Sequence, residues 1–375
     1  MRQPIDLSQE RQAERALLVG LSTGAQRRAI AEELLAELAE LTTSAEAVVV
    51  DSLLQSRPAP DPGTYIGKGL LAQIKERIPT DNIQTVIFDD PLSPAQQRNL
   101  ENALGVKVLD RSRLILDIFA RRARTSEAMA QVELAQLQYL LPRLTRAWTH
   151  LSRQYGGSIG ARGPGETQLE IDRRRVRDKI ANLKAKLDKI DRQRTLRRKG
   201  RQELFKIALV GYTNAGKSTL FNRLTKASVT VANKLFMTLD PTSRIMSTPY
   251  PSRVVFTDTV GFIRKLPHEL VEAFKSTLEE AVVADLLIHV VDCADELFAE
   301  KIEQTEKVLE EIGARAPVVF AFNKIDLNPE FVPPPELSDR AVALSATTGV
   351  GISALKDVLI ERAALARPTK AYPGS

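Results

Sequence analysis

The sequence predicts an α/β fold in three successive parts. A small parallel α/β unit spans residues 1–110, a long antiparallel helical hairpin spans 111–203, and a doubly wound, mostly parallel sheet spans 204–366, with a flexible tail at 367–375. Three observations predict this. Short apolar or β-branched runs alternate with helix-period segments near both ends of the chain, the pattern of βαβ units. Between them lie two runs whose apolar residues recur every three or four positions, as two packed helices require. The 375 residues, 43% hydrophobic and 27% charged, suffice for two or three ordinary globular domains.

In the first part, strands are expected at 16–19, 47–50, 85–88 and 106–109, and helices at 25–41, 70–78 and 94–104. Gly67-Lys68-Gly69 resembles a phosphate loop but fails the pattern. Only three residues separate Gly63 from Gly67, and Gly69 stands where a Ser/Thr hydroxyl is needed. Residues 60–69 read instead as a turn-rich connection.

In the second part, Leu116, Phe119, Ala123, Ala130, Leu134, Leu137, Leu141, Leu144, Trp148 and Leu151 form one apolar seam, interrupted at Pro142. Val176, Ile180, Leu183, Leu187 and Ile190 form the other. Thr167 and Glu170 have capping-box spacing, so the second helix is expected to start near Gln168. Between the helices runs a glycine-rich loop, 156–165, too rich in glycine for a helix. Its Gly156, Gly157, Arg162, Gly163 and Gly165, with Arg173, Arg174 and Arg175 on the following helix, are candidate RNA contacts, because glycine allows close backbone approach. Residues 141–205 carry 18 Lys/Arg against 7 Asp/Glu, a net of +11 in a chain of net +6, which leaves −5 elsewhere. A basic block in a mildly acidic protein fits a polyanion partner, and fits equally a solvated helix face.

In the third part, strands are expected at 207–210, 254–256, 286–291, 318–322 and 341–344. Gly211-Tyr212-Thr213-Asn214-Ala215-Gly216-Lys217-Ser218 matches Gly-x-x-x-x-Gly-Lys-Ser between a strand and a helix expected at 218–224. Its amides and helix N-terminus suit a β-phosphate, Lys217 the β/γ-phosphates and Ser218 a Mg²⁺ ion, with Thr219 beside them. Asp258-Thr259-Val260-Gly261 also follows a strand: Asp258 suits Mg²⁺, and the Gly261 amide suits the γ-phosphate. Thr238 is the preferred switch threonine for Mg²⁺ and the γ-phosphate, with Thr242 its competitor. Lys217, Thr238 and Gly261 are the catalytic candidates.

Asn323-Lys324-Ile325-Asp326 follows an apolar strand. Asp326 can accept from guanine N1–H and N2–H₂ together, which adenine does not offer. Asn323 would tie this loop to the phosphate loop, the Lys324 stem would cover the base, and a backbone amide at Ser345-Ala346 would meet guanine O6. In this order, each after a strand, the motifs point to a guanine-specific switch domain that takes GTP and GDP.

The chain resembles the HflX family of ribosome-associated GTPases. The resemblance rests on Asp258-Thr259-Val260-Gly261-Phe262-Ile263 and Phe236-Met237-Thr238-Leu239-Asp240. It continues through Thr64-Tyr65-Ile66-Gly67-Lys68-Gly69 and Gly160-Ala161-Arg162-Gly163-Pro164-Gly165-Glu166-Thr167. It implies an α/β and hairpin module before a Ras-like P-loop GTPase domain, binding to the large ribosomal subunit and its RNA, and splitting or rescue of ribosomes stalled under stress. The hairpin loop would reach toward the peptidyl-transferase region. Many members carry a further C-terminal domain, which a chain ending at Ser375 is expected to lack. Phe262 stands where many GTPases have a water-orienting glutamine, so intrinsic hydrolysis is expected to be slow. The ribosome, or K⁺ bound near Asn214, would supply what is missing. Two rivals stay open: an ATP-driven RNA remodeller whose N-terminal unit binds a second nucleotide, and a protein-binding GTPase whose hairpin is a coiled coil.

Composition sets the remaining expectations. Cys293 is the only cysteine, so no intrachain disulfide forms. No apolar run reaches the roughly 18–20 residues of a membrane span, and the N-terminus lacks a secretory core. The protein is expected to be soluble, cytoplasmic and monomeric, with no DNA partner. His289 and Cys293 read as core residues, and His268 follows the switch region.

Overall fold

The computed structural model describes residues 13–23, 28–144, 168–199, 204–225, 236, 242–246, 254–265 and 275–366. The chain divides into two compact units, Met1–Ile118 and Phe119–Ser375.

The first unit is built on four parallel strands in the order β2-β1-β3-β4: β1 is Arg15–Ser22, β2 Val48–Ser56, β3 Thr85–Phe88 and β4 Lys107–Asp110. Helices Arg28–Ser44, Lys68–Thr80 and Pro94–Leu104 connect them. Leu17, Val19, Ile74, Val86, Phe88, Leu100 and Val108 fill one core between sheet and helices. The 94–104 helix follows its local signals. Ser93 and Gln96 form a reciprocal capping box, Pro94 opens the first turn, and Gly105 ends the helix at φ 71°.

Two elements depart most from the bounds the sequence reading gives them. The strand expected at 47–50 runs on to Ser56, because β2 is an edge strand held by pairing to β1 along its length. None of its residues is buried, and Asp51 and Ser52 interrupt the apolar run that would mark its extent. The helix expected at 25–41 runs Arg28–Ser44, and residues 24–27 lie outside the described set. In the 60–69 connection, Asp61 Oδ1 accepts from Gly63 N at 2.9 Å and Thr64 N at 3.0 Å, and Gly67 N donates to Gln55 Oε1 at 2.8 Å.

The helix Arg111–Arg122 follows β4 directly, and Ser126–Leu140 follows it. The single seam expected over 116–151 therefore breaks near Thr125 as well as at Pro142. Thr125 Oγ1 accepts from Ala128 N and caps a new helix, while Leu141–Arg143 form a 3₁₀ turn. Gln168–Lys199 returns antiparallel to Ser126–Leu140. Ala130, Leu134, Leu137 and Leu183 form the seam, with Val176, Ile180 and Leu187 packed against it. The direction is fixed by Arg173 on Leu144 O, Lys179 on Glu133 and Lys186 on Ser126.

The second sheet has the order β10-β9-β8-β5-β7-β6. Its strands are β5 Phe205–Val210, β6 Thr242–Met246, β7 Val254–Asp258, β8 Leu286–Asp292, β9 Val318–Asn323 and β10 Ala341–Ala343. All neighbours are parallel except β6, which pairs antiparallel with β7 from Thr242↔Asp258 to Met246↔Val254. The sequence reading assigns no strand to 242–246. Exposed polar residues dominate this edge, and its partner, not its own pattern, makes it a strand. Leu209, Leu220, Phe221, Phe256, Ile288 and Leu355 anchor the core beneath the strand ends. Among the described residues, no helix is long and apolar enough to cross a membrane.

Candidate nucleotide site

The helix Lys217–Thr225 begins as the chain leaves the loop after β5. Its first amides have no partner within the helix and present a positive end. Lys217 is only 6% exposed, and its Nζ donates to Tyr212 O at 2.5 Å. Burial pulls its pKa down to about 8, opposed by the Asp258 carboxylate. An ammonium this deeply desolvated is ready to gain from an anion. Gly216 has φ 93°, and a Cβ there would come 2.2 Å from Asn323 Nδ2, so a side chain fits neither the backbone nor the space. Two amides of the loop are already engaged: Thr213 N donates to Phe262 O at 2.8 Å and Ala215 N to Tyr212 O at 3.3 Å. The phosphate reading therefore rests on the remaining loop amides and those of the helix start. Asn214 is exposed with φ 64°, and Thr219 lies half-buried on the helix.

β7 delivers Asp258, fully buried, to the same point. Ser218 Oγ donates to Asp258 Oδ2 at 2.7 Å. Thr259 Oγ1 holds the next turn by donating to Leu209 O at 2.6 Å. Gly261 passes so close to the phosphate loop that a Cβ would meet Thr213 Cγ2 at 2.7 Å and Lys217 Nζ at 2.9 Å. Phe262 N then donates to Gly211 O at 3.0 Å. The Phe262 ring packs with Tyr212, Ala281, Leu287 and Leu309, away from water. An aromatic occupies the glutamine position because that position belongs to the core here.

On the base side, Asn323 joins two loops, with Nδ2 donating to Ala215 O at 2.8 Å and Oδ1 accepting from Ala346 N at 2.8 Å. Lys324 has φ 70°, and its Nζ lies 2.6 Å from Asp292 Oδ2. Asp326 is exposed, so the burial that makes a carboxylate selective must come from the base itself. Some of the residues expected to touch ligands have partners within the protein. The Ser345 amide donates to Val350 O at 3.0 Å and the Ala346 amide to Asn323, so neither is idle for guanine O6. The compact Ser345–Val350 turn engages the first and the Asn323 side chain the second, which tetrapeptide spacing cannot reveal. Arg173 is a second case: its guanidinium donates to Leu144 O at 2.7 Å and helps close the hairpin. Arg174 and Arg175 are exposed on the same helix, the latter 3.9 Å from Asp172.

Thr238, His268 and the loop residues Gly156, Gly157, Arg162, Gly163 and Gly165 lie outside the described residues. Thr242, the competing threonine, begins β6 opposite Asp258. Phe236, near Thr238 in sequence, is buried with its ring edge-on to Phe119, centroids 4.6 Å apart. His289 sits in β8, where burial and then Lys217 drive its pKa down to about 3. Cys293 is buried, and desolvation pushes its thiol up to about 11. Sequence reasoning did not find Asp292 or Arg223. Arg223 Nε donates to Ala346 O at 3.0 Å, and its Nη2 to Thr347 O. Neither residue belongs to a motif, and only the folded loops reveal their partners.

Comparison with known proteins agrees with this geometry. Three family patterns match in succession: "GTP-binding GTPase N-terminal" over residues 32–120, "GTP-binding GTPase Middle Region" over 122–201 and "50S ribosome-binding GTPase" over 206–324. The chain is 49% identical over 352 residues to the GTPase HflX of Caldanaerobacter subterraneus subsp. tengcongensis, covering 93% of this chain and 80% of that one. It is 49% identical over 338 residues to the GTPase HflX of Escherichia coli strain K12, covering 88% and 78%. Among solved structures, a GTP-binding protein from the hyperthermophilic archaeon Sulfolobus solfataricus in complex with GDP matches with a TM-score of 0.50. It is 26% identical, with 94% of this chain and all of that one covered.

Proposed function

We propose, from the premise that this chain belongs to the HflX GTPase family, that it is a GTP-driven switch which grips the large ribosomal subunit and lets go after hydrolysis. One observation carries the reading. A buried, under-compensated lysine in a phosphate loop shares a unit with a basic helix, Gln168–Lys199, that exposes Arg174, Arg175 and Arg177. The first feature favours a nucleotide triphosphate, and the second favours RNA held by phosphate contacts. Splitting or rescue of stalled ribosomes under stress, in the cytoplasm, is the role this arrangement suits.

Several residues would act together. Lys217 would meet the β- and γ-phosphates and recover part of the free energy lost to its burial. The Gly261 amide would lie against the γ-phosphate, because no side chain keeps the two apart. Ser218 Oγ and Asp258 Oδ2, hard oxygens 2.7 Å apart, fit a Mg²⁺ site, with Thr238 as a further ligand. That ion would supply neutralisation of phosphate charge. Asp326 would read the N1 and N2 edge of guanine. With the Phe262 ring in the core, that position offers no side chain to orient water, so ribosomal contacts, with K⁺ near Asn214, would complete the site.

The test is cosedimentation with purified large subunits, loaded with GDP or a non-hydrolysable GTP analogue. Preferential pelleting with the analogue, lost steeply as salt rises, is expected. Equal pelleting in both states overturns the switch, and salt-insensitive binding favours a protein partner. Deleting 156–165 should spare GTP binding and reduce stimulation by large subunits.

A further inference from the structure

One helix, Phe298–Glu311, fastens both loops that the phosphate-site reading above places around a triphosphate. The helix is itself fixed to the sheet. Ile302 lies in a core with Val291 and Phe320, and Leu309 in another with Tyr212 and Phe262. Two of its polar side chains, Glu300 and Gln304, stand one turn apart on the same face. Gln304 Oε1 accepts from the Tyr212 hydroxyl at 2.8 Å, and Tyr212 is the second residue of the phosphate loop. Glu300 Oε2 lies 3.4 Å from Arg264 Nη2, and Arg264 stands three residues beyond Gly261. Lys301 adds its ammonium 5.4 Å from the centre of the Tyr212 ring. Tyr212 and Arg264 are 7% and 5% exposed, so each is held at a cost in side-chain freedom, and the guanidinium at a cost in hydration. The two loops are also zipped to each other. Tyr212 and Phe262 form a parallel bridge, with Phe262 N on Gly211 O and Thr213 N on Phe262 O. The zip sets one loop against the other, and the helix sets the pair against the sheet.

We infer that Gln304 and Glu300 are positioning residues that tune nucleotide binding from outside the phosphate loop, and that they divide the task by nucleotide. Gln304 steadies the loop that GDP and GTP both use through the β-phosphate. Glu300 steadies the segment whose Gly261 amide meets a γ-phosphate alone. Each bond orders its loop before the ligand arrives and so removes that cost from binding. The inference rests on the phosphate-site reading, and one variant below tests that reading by itself.

The experiment measures affinities of the full chain for GDP and a non-hydrolysable GTP analogue, both with Mg²⁺. The variants are Tyr212→Phe, Gln304→Leu, their double, Glu300→Gln and Glu300→Asp, with urea melts to show that each is folded. Tyr212→Phe and Gln304→Leu delete the same bond. Each should weaken both nucleotides about fivefold, the worth of one hydrogen bond, and the double should be little worse than either. Glu300→Gln keeps the shape and removes the charge. It should weaken the analogue about threefold and leave GDP unchanged, a smaller effect because this carboxylate is partly in water. Glu300→Asp keeps the charge and should recover part of the loss. An equal shift of both nucleotides in Glu300→Gln overturns the inference, because general loosening moves both. Unchanged affinities in the Tyr212 and Gln304 variants, additive losses in their double, or tighter binding of the analogue by Glu300→Gln overturn it as well. A Lys217→Ala chain that binds both nucleotides like wild type overturns the phosphate-site reading itself, whatever the helix variants do.

Discussion

Each sheet of this molecule buries a cation at the start of a helix that follows a strand, and the two cations are treated differently. Arg111 opens the helix after β4 and is 1% exposed. Its Nη1 lies 2.7 Å from Asp89 Oδ1 and its Nη2 2.9 Å from Glu37 Oε2. Two carboxylates surround one guanidinium, so its field is closed within the protein. Lys217 opens the helix after β5 behind a six-residue loop, and its donated bond goes to a neutral carbonyl, Tyr212 O. Asp258 helps it from nearby, but that carboxylate also accepts from Ser218. The first cation is paired in charge within the protein, while the second is only partly compensated and is left to gain from an anion. Architecture is shared between the units, and the site lives in how charge is finished.

Lys217→Ala is the sharpest way to break this comparison. Nucleotide affinity should fall at least about a hundredfold, through loss of a charge-assisted contact, while the free protein should unfold at no lower urea concentration. Fluorescent-nucleotide titration and a urea melt measure both, and a variant that binds normally ends the argument. Arg111→Met should do the reverse. It strands two carboxylates in the interior and should cost about 3–5 kcal/mol of stability in a urea melt, with little change in nucleotide affinity under native conditions.

The comparison sharpens with pH. The folded pKa of Lys217 lies below its unfolded value, so between about 8 and 10.5 the unfolded chain holds a proton that the free native protein does not. Stability of the nucleotide-free protein from this group should therefore rise with pH across that window. GTP affinity should move the other way, falling by up to about tenfold per pH unit above about 8, because the phosphates need the ammonium. Titrations at pH 7, 8 and 9 read this, and a flat profile denies Lys217 its role. The smallest effect concerns His289, neutral in the folded state down to about pH 3. It holds no proton where the unfolded chain takes one up, so its cost appears as pH falls from about 6.5. His289→Leu should move acid unfolding to lower pH.

Legibility in the sequence followed how local each cause was. The 94–104 helix was readable because Ser93, Pro94, Gln96 and Gly105 act within a few residues of it. The break at Thr125 was hidden because the apolar period of the seam runs through it, and only the cap bond to Ala128 shows that the helix restarts. β2 and β6 were shortened or missed because edge strands owe their existence to a neighbour. The phosphate loop and the Asn323-Lys324-Ile325-Asp326 loop were visible as motifs, but the spent amides of Ser345 and Ala346 were not.

The sequence by itself determined the α/β alternation, the helical seams, the order of the nucleotide motifs and the basic block between the two sheets. These depend on residue type and short spacing, and the chain carries both openly. The tertiary structure alone decided that Asn323 spans two loops, that Phe262 belongs to the core, that Arg223 finishes a loop over a hundred residues away and that Lys217 is buried without full compensation. Burial and long-range hydrogen bonds exist only once distant segments share a volume, and both the desolvation of a charge and the aim of an amide are set by that volume.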